Sequence, residues 1–198
     1  MDQFRTIDLS VPADRMLEGE VAVRLVEYLF TLPRAGSMAS VAFDPAGMRA
    51  VDSGVFDINR FMVQAGWSQI KAPKIGRSGW TGVYGRDQKM IRMHSRPGEG
   101  GVATHVDGRR VIAKCTRGPL VRKVGNPEGS LLTMVLGQAL LADVAGDDVI
   151  IAAVPDTPAF RRIVEHSRER PLIRKAGIQI VFVARNGAVS GANLGSQL

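Results

Sequence analysis

The segment VIAKCTRG, Val111–Gly118, sets an ammonium and a hydroxyl along one side of an extended run. Alternate side chains of a strand share a face, so Ile112, Lys114 and Thr116 point the same way. Asp107-Gly108 separates this run from GVATHV, Gly101–Val106, and Asp-Gly between extended runs is the strongest short hairpin signal. A two-residue loop there pairs Val106 with Arg109 and sets Gly101 opposite Lys114, with side-chain origins about 5 Å apart. Arg96, Arg109, Arg110, Arg117, Arg122 and Lys123 surround Lys114 in sequence, and strand alternation turns only some of them to its side. Cations gathered in this way suit a polyanion, because each Lys or Arg set against a phosphate releases condensed counterions.

The charge distribution agrees. Residues 71–123 hold 13 basic and 3 acidic side chains, whereas residues 1–70 hold 6 and 9 and residues 124–198 hold 7 and 7. The net charge of +7 therefore arises in the middle of the chain. Nucleic acid is the partner this concentration favours, although composition alone does not separate it from a solvated basic face. One cysteine excludes an intrachain disulfide and a multi-cysteine zinc site, and His94, His105 and His166 lack the close spacing of a metal pair. Cys115 reads as a buried strand residue. No apolar run approaches the roughly 18 residues of a membrane span, and MDQFRTIDLS has neither the charged start nor the apolar middle of a secretory signal. The expected address is the cytoplasm, with no membrane partner.

The elements that would position these groups follow from periodicity. Helical spacing predicts a first helix over Pro12–Phe30, with Glu18 on the stripe of Ala22, Leu25 and Leu29. Glu20, Arg24 and Glu27 share another face, so Glu18 is expected to be the one acid aimed at the core. Ser37–Gly54 reads as strand and turn, with DPAG at Asp44–Gly47 as turn chemistry. Asp57–Gln64 reads as a short helix stopped by Gly66. Lys71–Gly85, with KAPKIGRSGWTG, reads as a loop, and Trp67, Trp80 and Tyr84 are the aromatic candidates for stacking on bases. MIRMHS, GVATHV and RRVIAKC read as three strands. Ser130–Asp143 is apolar almost all round and reads as a buried helix. VIIAAVP, a helix opened by Asp156-Thr157-Pro158, and IQIVFVA then form a parallel βαβ unit.

Helix, three strands, buried helix, strand, helix, strand, together with the words RPGEGGVATHVDGRRVIAKCTRG and LGQALL, resembles the PD-(D/E)XK superfamily of restriction-endonuclease-like and Holliday-junction-resolvase-like nucleases. The resemblance covers roughly Trp80 to Ser190. It implies an α/β fold, a restriction-endonuclease-like αβββαβ core with a mixed sheet flanked by helices, over residues 80–198. Residues 1–79 would be an N-terminal α/β extension including the first core helix. In that frame the metal-binding Asp position falls on Gly101, the Glu position on Lys114 and the Lys position on Thr116. The acids are gone, so the resemblance implies no metal and no confident catalytic residue. Glu18 and Glu99 are the candidates for a relocated acidic set, and Mg²⁺ would be a cofactor only with such a set, acting in a phosphodiesterase. Gln138 would orient a backbone phosphate or be a satisfied buried amide.

The leading expectation is a catalytically degenerate nuclease-fold protein that binds nucleic acid, DNA ahead of RNA, through Arg96, Arg109, Arg110, Lys114, Arg117, Arg122, Lys123 and Gln138. It would act as a non-cutting partner of an active enzyme. The alternatives are a metal-dependent endonuclease with relocated acids and a scaffold or protein-interaction subunit.

Overall fold

Asp107 and Gly108 both take positive φ, 52° and 77°, the backbone that a two-residue hairpin turn requires. The flanking runs pair antiparallel from Val106↔Arg109 to Val102↔Ala113, the register expected from the turn. Around this hairpin the computed structural model builds an α/β fold; it describes residues 16–44, 49–50, 54–55, 57–73, 78–96, 100–119 and 125–191.

The elements are α1 (Glu18–Thr31), β1 (Met38–Phe43), β2 (Arg49–Ala50), β3 (Gly54–Val55), α2 (Ile58–Gln64), β4 (Ser68–Lys71), β5 (Gly82–Arg86) and β6 (Lys89–Ser95). Then follow β7 (Gly101–Val106), β8 (Arg109–Cys115), α3 (Pro127–Leu140), β9 (Val149–Pro155), α4 (Pro158–Arg168), α5 (Pro171–Lys175), β10 (Gln179–Val183) and β11 (Val189–Ser190). Nine strands form one mixed sheet in the order β11-β10-β9-β8-β7-β1-β6-β5-β4, and β2-β3 is a separate ribbon. The expected βαβ unit is present: β8, β9 and β10 run parallel. Thr157 caps α4 by accepting from the Phe160 N–H, with Pro158 in the first turn, as Asp-Thr-Pro predicted.

The sheet departs from the expected pairing in one respect. MIRMHS, in β6, does not lie beside GVATHV; β1 separates them, parallel to β6 and antiparallel to β7. The alternation of Ala39, Val41 and Phe43 into the core gives β1 an apolar face that only a central position buries. The segment read as a loop also yields β5, which pairs with β6 across a turn at Asp87. Its glycines Gly82 and Gly85 hid it from a pattern search.

One sheet face carries Ala39, Val41, Phe43, Ile91, Met93, Val102, Val106, Val111, Ala113 and Cys115, packed in one core with residues of α1 and α2. The other face is covered by α3 and α4 over β9 and β10, through Leu132, Val135, Leu136, Phe160 and Val164. Met134, Leu140 and Leu141 are exposed, so α3 buries one stripe and is not enclosed all round, as its composition suggested.

Helix α1 corrects a second expectation. Glu20, Arg24 and Glu27, assigned to an outer face, are buried, at 1%, 2% and 4% exposure. The Arg185 guanidinium donates twice to Glu20, at 2.8 and 2.9 Å. Glu27 accepts from Arg24 (3.2 Å), from Trp67 Nε1 (3.1 Å) and from Arg86 (2.8 Å). The acids stay inside because segments far away in sequence supply their partners, which helical periodicity cannot show.

Glu27 therefore holds buried cations together, and Glu27→Ala would leave Arg24 uncompensated. A loss of about 3–5 kcal/mol in urea unfolding is expected; a change under about 1 kcal/mol, within the range of a surface pair, would show that the network is not a fixed anchor.

Candidate functional site

Among the described residues no helix beyond α3 and α4 covers the second sheet face over β7, β1 and β6. Strand alternation and register define what it presents. One row runs Ile112, Ala103, Ser40, Arg92, Val83 and Lys71 across β8, β7, β1, β6, β5 and β4. In the next row Ala42 lies between Gly101 and His94, with Lys114 beyond Gly101. A cleft of about 640 Å³ lies here, lined among others by Lys114, Gly101, Gln138, Arg110, His94 and Arg96. A second cleft of about 710 Å³ shares His94 and Arg96 and adds Arg92 and Lys71. The two clefts adjoin at His94 and Arg96.

Gly101 and Lys114 meet as their spacing predicted: a Cβ on Gly101 would sit 3.3 Å from Lys114 Cδ. The backbone here belongs to glycine, with φ +150° and no space for a Cβ beside the Ala113 carbonyl oxygen. Lys114 is half-buried and has no hydrogen-bond or ion-pair partner among the described residues. Thr116 is fully buried; its N–H donates to the Ala153 carbonyl at 3.0 Å, continuing the β8–β9 ladder. Its hydroxyl and Arg117 Nη1 are both buried without a hydrogen-bond partner.

Glu18, the first residue of α1, packs its carboxylate against Gly100 at the start of β7. Burial and then the Asp44 carboxylate push its pKa from 4.5 up to about 7, while Arg117 and Lys114 pull it down. The side chain thus sits in the field of three charged groups at one edge of the sheet, where β1 and β8 end. Asp44 was missed because its following Pro-Ala-Gly reads as a turn. The signal that could have found it is its place directly after an apolar strand, at the carboxyl edge where open α/β sheets bind ligands. Cys115 lies beside this cluster, and burial followed by the Glu18 charge drives its thiol far above the ordinary range. His94 is held below the ordinary histidine range by burial and by the guanidiniums of Arg96 and Arg92.

The structure thus gathers Gly101, Lys114, Arg96, Arg110 and Gln138 in the cleft and sets Glu18 and Arg117 at its edge. It does not bring Arg109 there: this side chain donates to the Asp147 carbonyl at the hairpin end of β8. Arg110 reaches Asp148 at 3.5 Å and also lines the cleft. Glu99, Arg122 and Lys123 lie outside the described residues. Trp67 and Tyr84 are 1% exposed, and Trp80 packs on Phe43 with ring centroids 5.7 Å apart. Burial removes Trp67 and Tyr84 as stacking platforms, and Trp80 is partly buried and packs against the same core. Among the described residues no three His, Cys, Asp or Glu side chains come together as a metal-binding group, and no helix is long and apolar enough to cross a membrane. No family model, curated protein or solved structure matches the chain.

Because the folded chain holds the Glu18 proton to a higher pH than the unfolded chain, its contribution to stability is complete below pH 4.5 and lost as pH rises to about 7. Glu18→Gln is expected to flatten thermal stability across that window and to stabilise the protein at pH 8 by about 2–3 kcal/mol. Destabilisation at pH 8 would mean that Glu18 serves as a paired structural anion.

Gly101→Asp, which adds a carboxylate at this position, is expected to lower stability by about 1–3 kcal/mol through backbone strain alone. An unchanged melting midpoint would refute the close β7–β8 approach.

Proposed function

We propose that this chain is a catalytically degenerate restriction-endonuclease-like protein that binds nucleic acid, DNA ahead of RNA, along its open sheet face. The observation that carries this reading is the charge of the two adjoining clefts. Among their described lining residues are five cations, Lys71, Arg92, Arg96, Arg110 and Lys114, and one carboxylate, Asp143. Low-dielectric walls focus such a field and raise the local concentration of a polyanion. The order β1-β7-β8-β9-β10, with α1 before it and α3 between β8 and β9, supports an αβββαβ core of the PD-(D/E)XK kind, with β1 from residues 1–79 in the place expected for MIRMHS.

The positions that the resemblance gives to the metal, Gly101, Lys114 and Thr116, do not fit a two-carboxylate magnesium site, and the two carboxylates at the sheet edge, Glu18 and Asp44, share it with the cations Lys114 and Arg117. Such a site needs several hard oxygen ligands around the ion. Here Gly101 offers no side chain, Lys114 brings an ammonium to the adjoining position, and Glu18 holds its proton to about pH 7. A fixed ammonium repels a divalent cation and attracts a phosphate, so the geometry favours holding a strand over hydrolysing it.

A salt-titrated binding assay run beside a cleavage assay with Mg²⁺ and Mn²⁺ tests this. Affinity for oligonucleotides is expected to fall linearly on a log–log salt plot, and Lys114→Glu to weaken it by about tenfold or more. No products are expected with either metal. Chelator-sensitive scission would establish the relocated-acid nuclease instead, and absence of both binding and cleavage would leave the scaffold reading.

A further inference from the structure

The cleft over β1 and β7 has a floor as well as charged walls, and the floor selects for size. On β1 and β7 the open-face positions are Met38, Ser40 and Ala42, and Gly101, Ala103 and His105. The four toward the carboxyl end of β1, paired as Ser40↔Ala103 and Ala42↔Gly101, are no larger than serine, and Met38 and His105 stand at the other end. The flanking strands carry long side chains: Arg110, Ile112 and Lys114 on β8, and Arg92 and His94 on β6. The result is a trough two strands wide with cations on both sides, open toward the carboxyl end of β1 and closed at the other end by Met38 and His105. Three inter-strand steps separate β8 from β6, about 14 Å between strand axes, and the rim side chains narrow this further. A B-form duplex is wider than that gap and could rest only on the rims. A single strand can descend to the floor, where small side chains let its sugar-phosphate chain approach the sheet.

We infer that the trough over β1 and β7 takes one unpaired strand of nucleic acid, its phosphates held between Arg110 and Lys114 on one wall and Arg92 and Arg96 on the other. This rests on the nucleic-acid reading above and adds the class of ligand. With Trp67, Trp80 and Tyr84 turned to the core side, recognition runs through the backbone rather than through base stacking, the usual second component of single-strand sites. Little sequence preference is therefore expected. If the four wall cations each meet one phosphate, the log–log salt slope is about −3.

The floor provides a test that charge reversal cannot. Anisotropy with labelled dT and rU oligonucleotides of about 12 nucleotides, beside a duplex of equal length, reads the preference directly. Tighter binding of either single strand than of duplex, by about tenfold, is expected. Ala103→Phe and Ser40→Tyr fill the trough from the open face without changing any charge, so folding should persist by circular dichroism while single-strand affinity falls about tenfold; Ala103→Ser should bind as the parent does. Duplex binding equal to or tighter than single-strand binding would overturn the inference, as would floor variants that bind normally while Lys114→Glu binds weakly; in both cases the broader nucleic-acid reading survives. Failure of the parent protein to bind single strand or duplex would overturn both.

Discussion

Nine strands spaced at 4.7–4.9 Å make a sheet about 38 Å wide, and two helices of 10–12 Å diameter cover about 20–24 Å of one face. This mismatch of widths shapes the molecule. On one face α1 and α2 join a continuous core. On the other, α3 and α4 pack against β9 and β10, and among the described residues no helix covers the strands beyond β8. An uncovered sheet face must be polar or small to stay in water, and here it is both: Ser40, Ala42, Gly101 and Ala103 in the middle, Arg92 and His94 beside them. The clefts are thus a consequence of which strands were left uncovered.

The edge cluster depends on α1 being fixed from all sides. Glu20 and Glu27 are tied to Arg185, Arg24, Arg86 and Trp67, so the first turn of the helix has a defined place at the ends of β1 and β8. Glu18 then meets Gly100, and its proton is held by burial and by Asp44 against the pull of Arg117 and Lys114. Gly101 completes the arrangement, because the space a side chain would need belongs to the Ala113 carbonyl. A side chain at this position would need a different backbone path.

Local signals in the sequence specified much of this. The Asp107-Gly108 turn set the β7–β8 register and with it the meeting of Gly101 and Lys114, since a two-residue loop leaves one pairing. Apolar runs bounded by Thr157-Pro158 fixed β9, α4 and β10, and the excess of Lys and Arg over residues 71–123 marked the cleft walls. These features depend on neighbours in the chain or on composition, both of which a sequence displays. Three things required the tertiary structure. The insertion of β1 between β6 and β7 pairs residues some 60 positions apart, which no short-range pattern encodes. The burial of Glu20, Arg24 and Glu27 depends on partners up to 165 residues away, so a helix that reads as amphipathic is enclosed. Asp44 gains its meaning only when the end of β1 is set beside Glu18. In each case the deciding energy is a long-range contact that offsets a local cost, the desolvation of a charge or the closure of a long loop, and that term is absent from the chain until it folds.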